Sequence, residues 1–521
     1  MTSRLPTLGY RGDLPPARFN MAAYVVGRAA ANTPHKPALI VISDPGQPPA
    51  EIWTYAEIEA AILGIAGSLR ETSLQRGARL LIRLENSSTY ALLFFGAVAA
   101  GLVPLPVSSQ LTAAEFDFLL EDSGAAAVAL ADDFASVNLP DGIEVFTSAQ
   151  VRLMMQHPVR ASYADTAADD PAYLIYTSGT TSRPKGVIHG HRAAWGRRPM
   201  YAGWYGITET DRVLHAGAFN WTYTLGTGLT DPWANGATAI VYTGPKDPAV
   251  WPRLITAAQA TIFAAVPSLY RQMLRYADVT TAALGPLRHG LTAGETPPPG
   301  LFEEWAARTG RQLYEALGMS EMSTYVSSSP TVPPKSGTVG KPQPGRCVAI
   351  LPASGGDEPL PAGTEGLLAV HRSDPGLMLG YWNRPEEEAE VMRGDWFIGG
   401  DLASMDTDGY ITHHGRANDI MKALGYRVAP QEVEAVLAAY PGIAEVACAE
   451  IQVRADVSVI GAFIVLRENT ARDPDAIKHF ASERLAAYKC PREIVFVEAL
   501  PRTANGKLRR GDLKAWRPNG S

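Results

Sequence analysis

Short apolar bursts alternate with stretches of helical spacing along most of this 521-residue chain, and no other feature constrains its fold as strongly. Residues 38–42, 79–84, 126–130, 172–176, 238–242 and 262–266 are such bursts. Each has the length of a buried strand, and most of the segments between them have room for a helix. Strands separated by helices predict an α/β fold with largely parallel sheets. The most hydrophobic run, 91–107, contains Gly96, Gly101, Pro104 and Pro106 and falls short of a membrane span. It predicts a buried helix leading into a buried strand.

The texture then changes twice. Residues 337–414 are dense in Gly and Pro, with short strand patterns at 367–370 and 410–414, which predicts a β-rich subdomain. Past Gly415, residues 431–440 carry Val433, Val436 and Leu437 at helical spacing. Residues 446–451 and 458–466 have strand patterns, and 477–488 predicts a helix with Phe480 and Leu485 inward. The expected organisation is a large N-terminal domain over 1–417, with two α/β subdomains and the β-rich one. A small α+β C-terminal domain over 418–521 follows.

Composition removes several function classes. The net charge of −7 argues against a general nucleic-acid binder. Three scattered cysteines, Cys347, Cys448 and Cys490, exclude a disulfide framework and a Cys-rich zinc site. Residues 1–20 hold no apolar signal core, so a cytoplasmic protein without a membrane span is expected. Charge is uneven: residues 484–517 hold nine basic side chains against three acidic ones, a cationic tail that a moving domain could bring to a phosphate.

The strongest local signal is YTSGTTSRPKG at 176–186. A strand enters it and a helix is predicted after it. Small hydroxyl residues and two glycines allow backbone N–H groups to converge on phosphate oxygens, and Lys185 adds positive charge. It is not a Walker A loop, because Pro184 and Gly186 flank Lys185 where Gly and Ser/Thr are required. His189-Gly190-His191 lacks a third ligand nearby and is expected to be structural.

Five further motifs follow in order: Ala293-Gly294-Glu295, Leu317-Gly318-Met319-Ser320-Glu321, WFIGGD at 396–401, GRANDIMKALGYRVAPQEVE at 415–434, and PRTANGKLRR at 501–510. Together the six motifs resemble the adenylate-forming superfamily of acyl-CoA synthetases, peptide-synthetase adenylation domains and luciferases, over nearly the whole chain. The resemblance implies a two-step reaction. A carboxylate attacks the α-phosphate of ATP to give acyl-AMP and pyrophosphate, and a thiol then takes the acyl group and releases AMP.

The family likeness also implies roles. Thr177, Ser178, Gly179, Thr180, Thr181 and Lys185 resemble the loop that cradles the β- and γ-phosphates. Glu321 matches the Mg²⁺-binding carboxylate, and Ser320 stands where Thr is usual. Gly294, Glu295, Leu317 and Gly318 resemble the adenine slot, with Leu317 in place of a common aromatic. Asp401 matches the ribose-hydroxyl acceptor and Arg416 a second ribose or phosphate contact. Lys507 matches the cation that serves adenylation, with Arg502 replacing a common Lys upstream. Asn418 sits at the hinge of a mobile C-terminal domain, where Asp or Lys is common. Gly425 matches the position that lets the pantetheine arm of CoA pass.

The acyl pocket is expected around Trp221, Thr222, Tyr223 and Thr324, with Ala216 and Val326 as further wall residues. Tyr223 to Gly226 is similar to the benzoate-CoA ligase branch, which often has His where Thr324 stands. The implied activity is an AMP-forming carboxylic acid–CoA ligase acting on an aromatic, alicyclic or medium-chain acid, with ATP, Mg²⁺ and coenzyme A. The alternative is an enzyme that loads a carrier protein in trans. No nucleic-acid partner is expected, and a homodimer is left open.

Overall fold

The computed structural model describes residues 9–132, 139–177, 184–417, 419, 421–423, 426–454, 457–502 and 508–516. The hydrophobic run resolves as its pattern predicts. Ser87 caps a helix over Ser88–Ala100 by accepting the Tyr90 N–H, and every residue from Ser88 to Ala99 is buried. Gly101, at φ 83°, ends that helix in the left-handed conformation and turns the chain into the strand Val103–Pro106. No helix among the described residues is long and apolar enough to cross a membrane.

The chain divides into two compact units, the first comprising Met1–Ala349, Ala369–Phe397 and Gly409–Ile411. It contains a nine-stranded sheet whose six central strands run parallel: Gln312–Met319, His289–Ala293, Ile262–Ala265, Arg212–His215, Thr238–Tyr242 and Pro37–Ile42. Antiparallel strands flank it: Ser323–Ser327 and Lys341–Pro342 at one edge, Glu51–Thr54 at the other. A second, fully parallel sheet takes Val103–Pro106, Arg79–Arg83, Ala127–Leu130 and Glu144–Thr147 in that order. Both sheets lie within this one unit. Helices Tyr55–Arg70 and Ser88–Ala100 share one apolar core, and the first begins with a capping box made by Thr54 and Glu57.

The sequence pattern misplaces one element. The segment after the phosphate-loop motif is not a helix. Lys185–Gly190 is a strand that pairs antiparallel with Pro171–Thr177. Two adjacent β-branched residues, Val187 and Ile188, favour the pleated ladder over a helical turn.

The second unit comprises Ile350–Leu368, Ile398–Asp408 and Thr412–Ser521. Strands Ile443–Arg454, Val457–Leu466 and Glu493–Phe496 form its three-stranded sheet. Helices Pro430–Ala438 and Pro474–Ser482 cover one face through Val433, Leu437, Ile477 and Ala481. The second helix ends at Ser482, short of the predicted 488, because polar Ser482, Glu483 and Arg484 interrupt the apolar stripe. Leu485 still packs against the core, from a turn, and Phe480 lies edge-on to Tyr440. The Gly- and Pro-dense stretch carries the short strands Val348–Leu351, Gly366–His371, Trp396–Met405 and Ile411–Arg416, as a β-rich region should.

One buried ion pair in the first unit carries a stability prediction. Arg346 Nη1 donates to both carboxylate oxygens of Asp374 at 2.9 and 2.8 Å, and neither side chain is more than 1% exposed. Gln343 Oε1 accepts from Arg346 Nε and the Gly196 carbonyl accepts from Nη2, and the Gly376 N–H donates to the carboxylate. Asp374→Ala strands a buried cation, so it should cost about 3–5 kcal/mol in denaturant unfolding. An unchanged midpoint would show that the pair is dispensable.

Candidate active site

The phosphate-loop motif connects two paired strands. Thr177 ends one strand and Lys185 opens the next, as direct cross-strand partners. Ser178, Gly179, Thr180 and Thr181 lie outside the described residues. The Lys185 side chain is largely buried at 15% exposure. Its Nζ sits 4.0 Å from the centre of the Tyr381 ring and 3.5 Å from Glu387 Oε2. Tyr381 belongs to the short strand Gly380–Tyr381, which pairs with the Lys185–Gly190 strand.

Glu321 stands at the tip of the hairpin formed by Gln312–Met319 and Ser323–Ser327. Its Oε1 accepts the Tyr381 hydroxyl at 2.7 Å, and its carbonyl accepts the Met378 N–H at 2.8 Å. A single tyrosine therefore touches both the loop cation and the hairpin carboxylate. Its ring face carries negative potential toward Lys185, and its hydroxyl orients Glu321. Ser320, beside Glu321, has its carbonyl fixed by His189 Nε2 at 2.8 Å. Burial lowers the His189 pKa to about 4, so the ring is neutral and carries its proton on Nε2. His189 also stacks on Tyr173 at 4.7 Å. His191 is likewise lowered to about 4 by burial and accepts the Met21 N–H through Nδ1 at 3.0 Å. Both histidines thus have backbone partners in a packed interior.

The residues expected to border the adenine sit at the carboxyl ends of parallel strands, where ligands bind in open α/β sheets. Gly294 follows His289–Ala293 with φ 89°, a conformation that favours glycine. Glu295 caps the helix Pro267–Tyr276, accepting the Ser268 N–H and hydroxyl, both at 3.1 Å. Leu317 and Gly318 end the hairpin's first strand. A Cβ on Gly318 would lie 2.4 Å from the Ser323 carbonyl oxygen, so glycine alone fits that pairing.

Of the residues expected to line an acyl pocket, Tyr223 has the most contacts. Its ring lies 4.3 Å from His215, edge to face, and stacks at 5.7 Å on Trp204. Its hydroxyl reaches the Ala265 and Leu291 carbonyls at 3.4 and 3.3 Å, at the ends of two parallel strands. Ala216 joins the same strand ends through its N–H to the Ala264 carbonyl at 2.9 Å. Trp221 and Thr222 are half-buried at the start of the short helix Thr222–Leu225. Thr324 and Val326 lie on the hairpin's second strand, both buried, and Thr324 Oγ1 accepts Gln343 Nε2 at 3.3 Å.

Within the second unit, Asp401 is 3% exposed on the strand Trp396–Met405. Its Oδ1 takes His413 Nε2 at 3.0 Å and Arg416 Nε at 3.2 Å. Arg416 also donates to the Gly399 carbonyl. Asn418, Gly425 and Lys507 lie outside the described residues. Sequence reasoning missed Tyr381 and His413, each of which orients a carboxylate it had named. Both lie on short strands, Gly380–Tyr381 and Ile411–Arg416, and only the pairing of those strands brings them to the carboxylates.

A single hard carboxylate suits Mg²⁺, which is usually held by one or two carboxylates together with phosphate oxygens rather than by a full protein cage. Glu321 fits that pattern. Among the described residues no cluster of three or more His, Cys, Asp or Glu side chains could hold a metal ion alone.

Comparison with known proteins shows the family to which the chain belongs. The family model described as AMP-binding enzyme matches residues 26–382, and that of the AMP-binding enzyme C-terminal domain matches 432–507. The chain is 31% identical over 518 residues to the benzoate–CoA ligase of Thauera aromatica, covering 96% of each. It is 30% identical over 479 residues to the 3-hydroxybenzoate–CoA ligase of Aromatoleum sp. (strain CIB), covering 88% of this chain and 91% of that protein. Among solved structures, a benzoate CoA ligase from Burkholderia xenovorans LB400 aligns with a TM-score of 0.83 at 30% identity, over 95% of this chain and 100% of that one. The chain belongs to the AMP-binding enzyme family.

Proposed function

We propose that the chain is an AMP-forming carboxylic acid–CoA ligase that activates an aromatic, alicyclic or medium-chain acid. The observation that carries this reading is the Lys185–Tyr381–Glu321 cluster, which joins the phosphate-loop strand to the hairpin carboxylate in a chain whose relatives are benzoate and hydroxybenzoate ligases.

In the first step an acid carboxylate oxygen bonds to the α-phosphorus of ATP and pyrophosphate leaves. Negative charge gathers there, so preorganised donors and cations lower the barrier. Thr177, Ser178, Gly179, Thr180 and Thr181 surround the β- and γ-phosphates, and Lys185 places its charge beside them. Glu321, with Ser320 next to it, would hold Mg²⁺, which would neutralise phosphate charge when bound. Gly294, Glu295, Leu317 and Gly318 border the adenine. Asp401 and Arg416 take the ribose, with His413 steadying the carboxylate. Lys507 approaches the α-phosphate.

In the second step the CoA thiol gives up its proton to solvent as its sulfur bonds to the acyl carbon, and AMP leaves with the electron pair of the broken acyl–oxygen bond. Rotation about Asn418, at the boundary of domains 1–417 and 418–521, presents Gly425 for the pantetheine arm. The aromatic setting of Tyr223, with Trp221, Thr222 and Thr324, suits a flat or apolar acyl body.

The test is an AMP-release screen over carboxylic acids with CoA as acceptor, repeated with a phosphopantetheinylated carrier protein. AMP release that depends on both an apolar acid and CoA is expected. Release with the carrier alone would move the acceptor to a protein. No release with any acid would overturn the ligase assignment.

A further inference from the structure

The hairpin tip that carries Ser320 and Glu321 closes on a residue in an unusual conformation. A three-residue hairpin loop commonly ends with a residue in the left-handed region, where glycine is favoured. Here the loop is Ser320, Glu321 and Met322; Met319 pairs with Ser323, and it is Ser323, the first residue after the loop, that has the left-handed φ of 67°. A residue with a side chain is strained there and persists only when its surroundings hold it.

The holding group is a buried cation. Arg197 Nη1 donates to Ser323 Oγ. Arg197 is 5% exposed, and such a charge survives burial only when paired. Asp231 takes Nε at 2.8 Å and Nη2 at 2.6 Å in a two-pronged fork. The Tyr205 hydroxyl donates to Asp231 Oδ2 at 2.6 Å and bonds the Thr227 hydroxyl at 2.9 Å. The charge is thereby cancelled while one arm of the guanidinium stays directed at Ser323. The same group presses on the acyl-pocket helix: a Cβ at Gly226 would lie 2.1 Å from Arg197 Nη2. One planar, rigid fork therefore spans the end of Thr222–Leu225 and the base of the Glu321 turn.

We propose that Arg197, held by Asp231, is a positioning residue that fixes the 320–322 turn through Ser323, so that Glu321 meets the divalent cation accompanying ATP in one orientation. This rests on the ligase reading of the site. Arg197 touches neither nucleotide nor acid in this role. It acts on Glu321 through two residues of backbone, as outer groups around a metal act on its ligands.

The test uses Ser323→Ala, which keeps the ion pair and removes one hydrogen bond, together with Arg197→Lys and the double variant. Calorimetric titration of ATP with and without Mg²⁺ reads the site without turnover. The Mg²⁺-dependent gain in ATP affinity should fall about 10- to 100-fold in Ser323→Ala. Metal-free affinity should be unchanged, and Arg197→Lys should add little on top. In turnover, kcat for adenylation falls while KM for the acid holds. Ser323→Gly relieves the backbone strain, so its Tm should hold or rise although its Mg²⁺-dependent gain is lost. A wild-type gain retained in Ser323→Ala, losses that simply track Tm, or no gain in the wild type each overturn the proposal. Failure of the wild type to release AMP with any acid would sink the ligase reading instead, while the titrations still decide the role of Arg197.

Discussion

Lys507→Ala should lower acid-dependent pyrophosphate release about 10²- to 10³-fold, the usual loss when one preorganised donor is removed from a developing charge. Transfer of the acyl group from supplied acyl-AMP to CoA should persist. The asymmetry follows from where charge develops. Adenylation builds it on the α-phosphoryl oxygens, where an ammonium is most effective. Thioester formation builds it on the acyl carbonyl. Pairing within the second unit sharpens the expectation, because most other cations of the basic tail have acidic partners. Arg502 pairs with Glu445 at 2.8 Å and Arg509 with Asp512 at 3.2 Å. Lys489 pairs with Glu432, and Arg510 with Glu434. The cationic tail seen in composition is thus largely a set of local ion pairs, and Arg509→Ala serves as a charge-matched control that should leave adenylation near wild type. Equal losses in both half-reactions of Lys507→Ala would remove Lys507 from its assigned step.

Much of the fold was legible because its period was. The parallel strands Pro37–Ile42, Thr238–Tyr242 and Ile262–Ala265 are continuous apolar runs, the signature of strands buried on both faces. The helix Ser88–Ala100 announced its own end with Gly101. The strand Lys185–Gly190 was misplaced because its apolar centre, Val187 and Ile188 between Gly186 and Gly190, is too short for periodicity to tell strand from helix. The active-site motifs were legible as composition joined to order, but the groups that orient them were not. Arg197 and Asp231 are 34 residues apart, and Tyr381 is 60 residues from Glu321. Such partners are fixed by sheet order and crossover, and sequence spacing carries no trace of that. The pairing within the basic tail was hidden for a related reason: a count of charges records neither Glu434 beside Arg510 nor Glu445 beside Arg502.

Gly425→Leu should give the reverse of Lys507→Ala. Acyl-AMP should still form, seen as a stoichiometric burst of pyrophosphate, while CoA-thioester formation falls by about 10²-fold or more. The expectation is steric. Glycine is the smallest residue, so any substitution at Gly425 adds bulk at the proposed passage. A branched four-carbon side chain at the proposed pantetheine passage would hold the thiol away from the acyl carbon, and a displacement of about 1 Å at a reacting centre is enough for a loss of that size. The rival account is a glycine needed only for its backbone conformation. Gly425→Ala separates the two. A blocked passage grades with side-chain size, so Ala should retain much of the thioester rate that Leu loses. A backbone requirement would penalise Ala and Leu alike and would impair folding before it impaired one half-reaction. Normal thioester turnover in Gly425→Leu would place the pantetheine route elsewhere, and loss of the pyrophosphate burst would show that the substitution reaches the adenylation geometry as well.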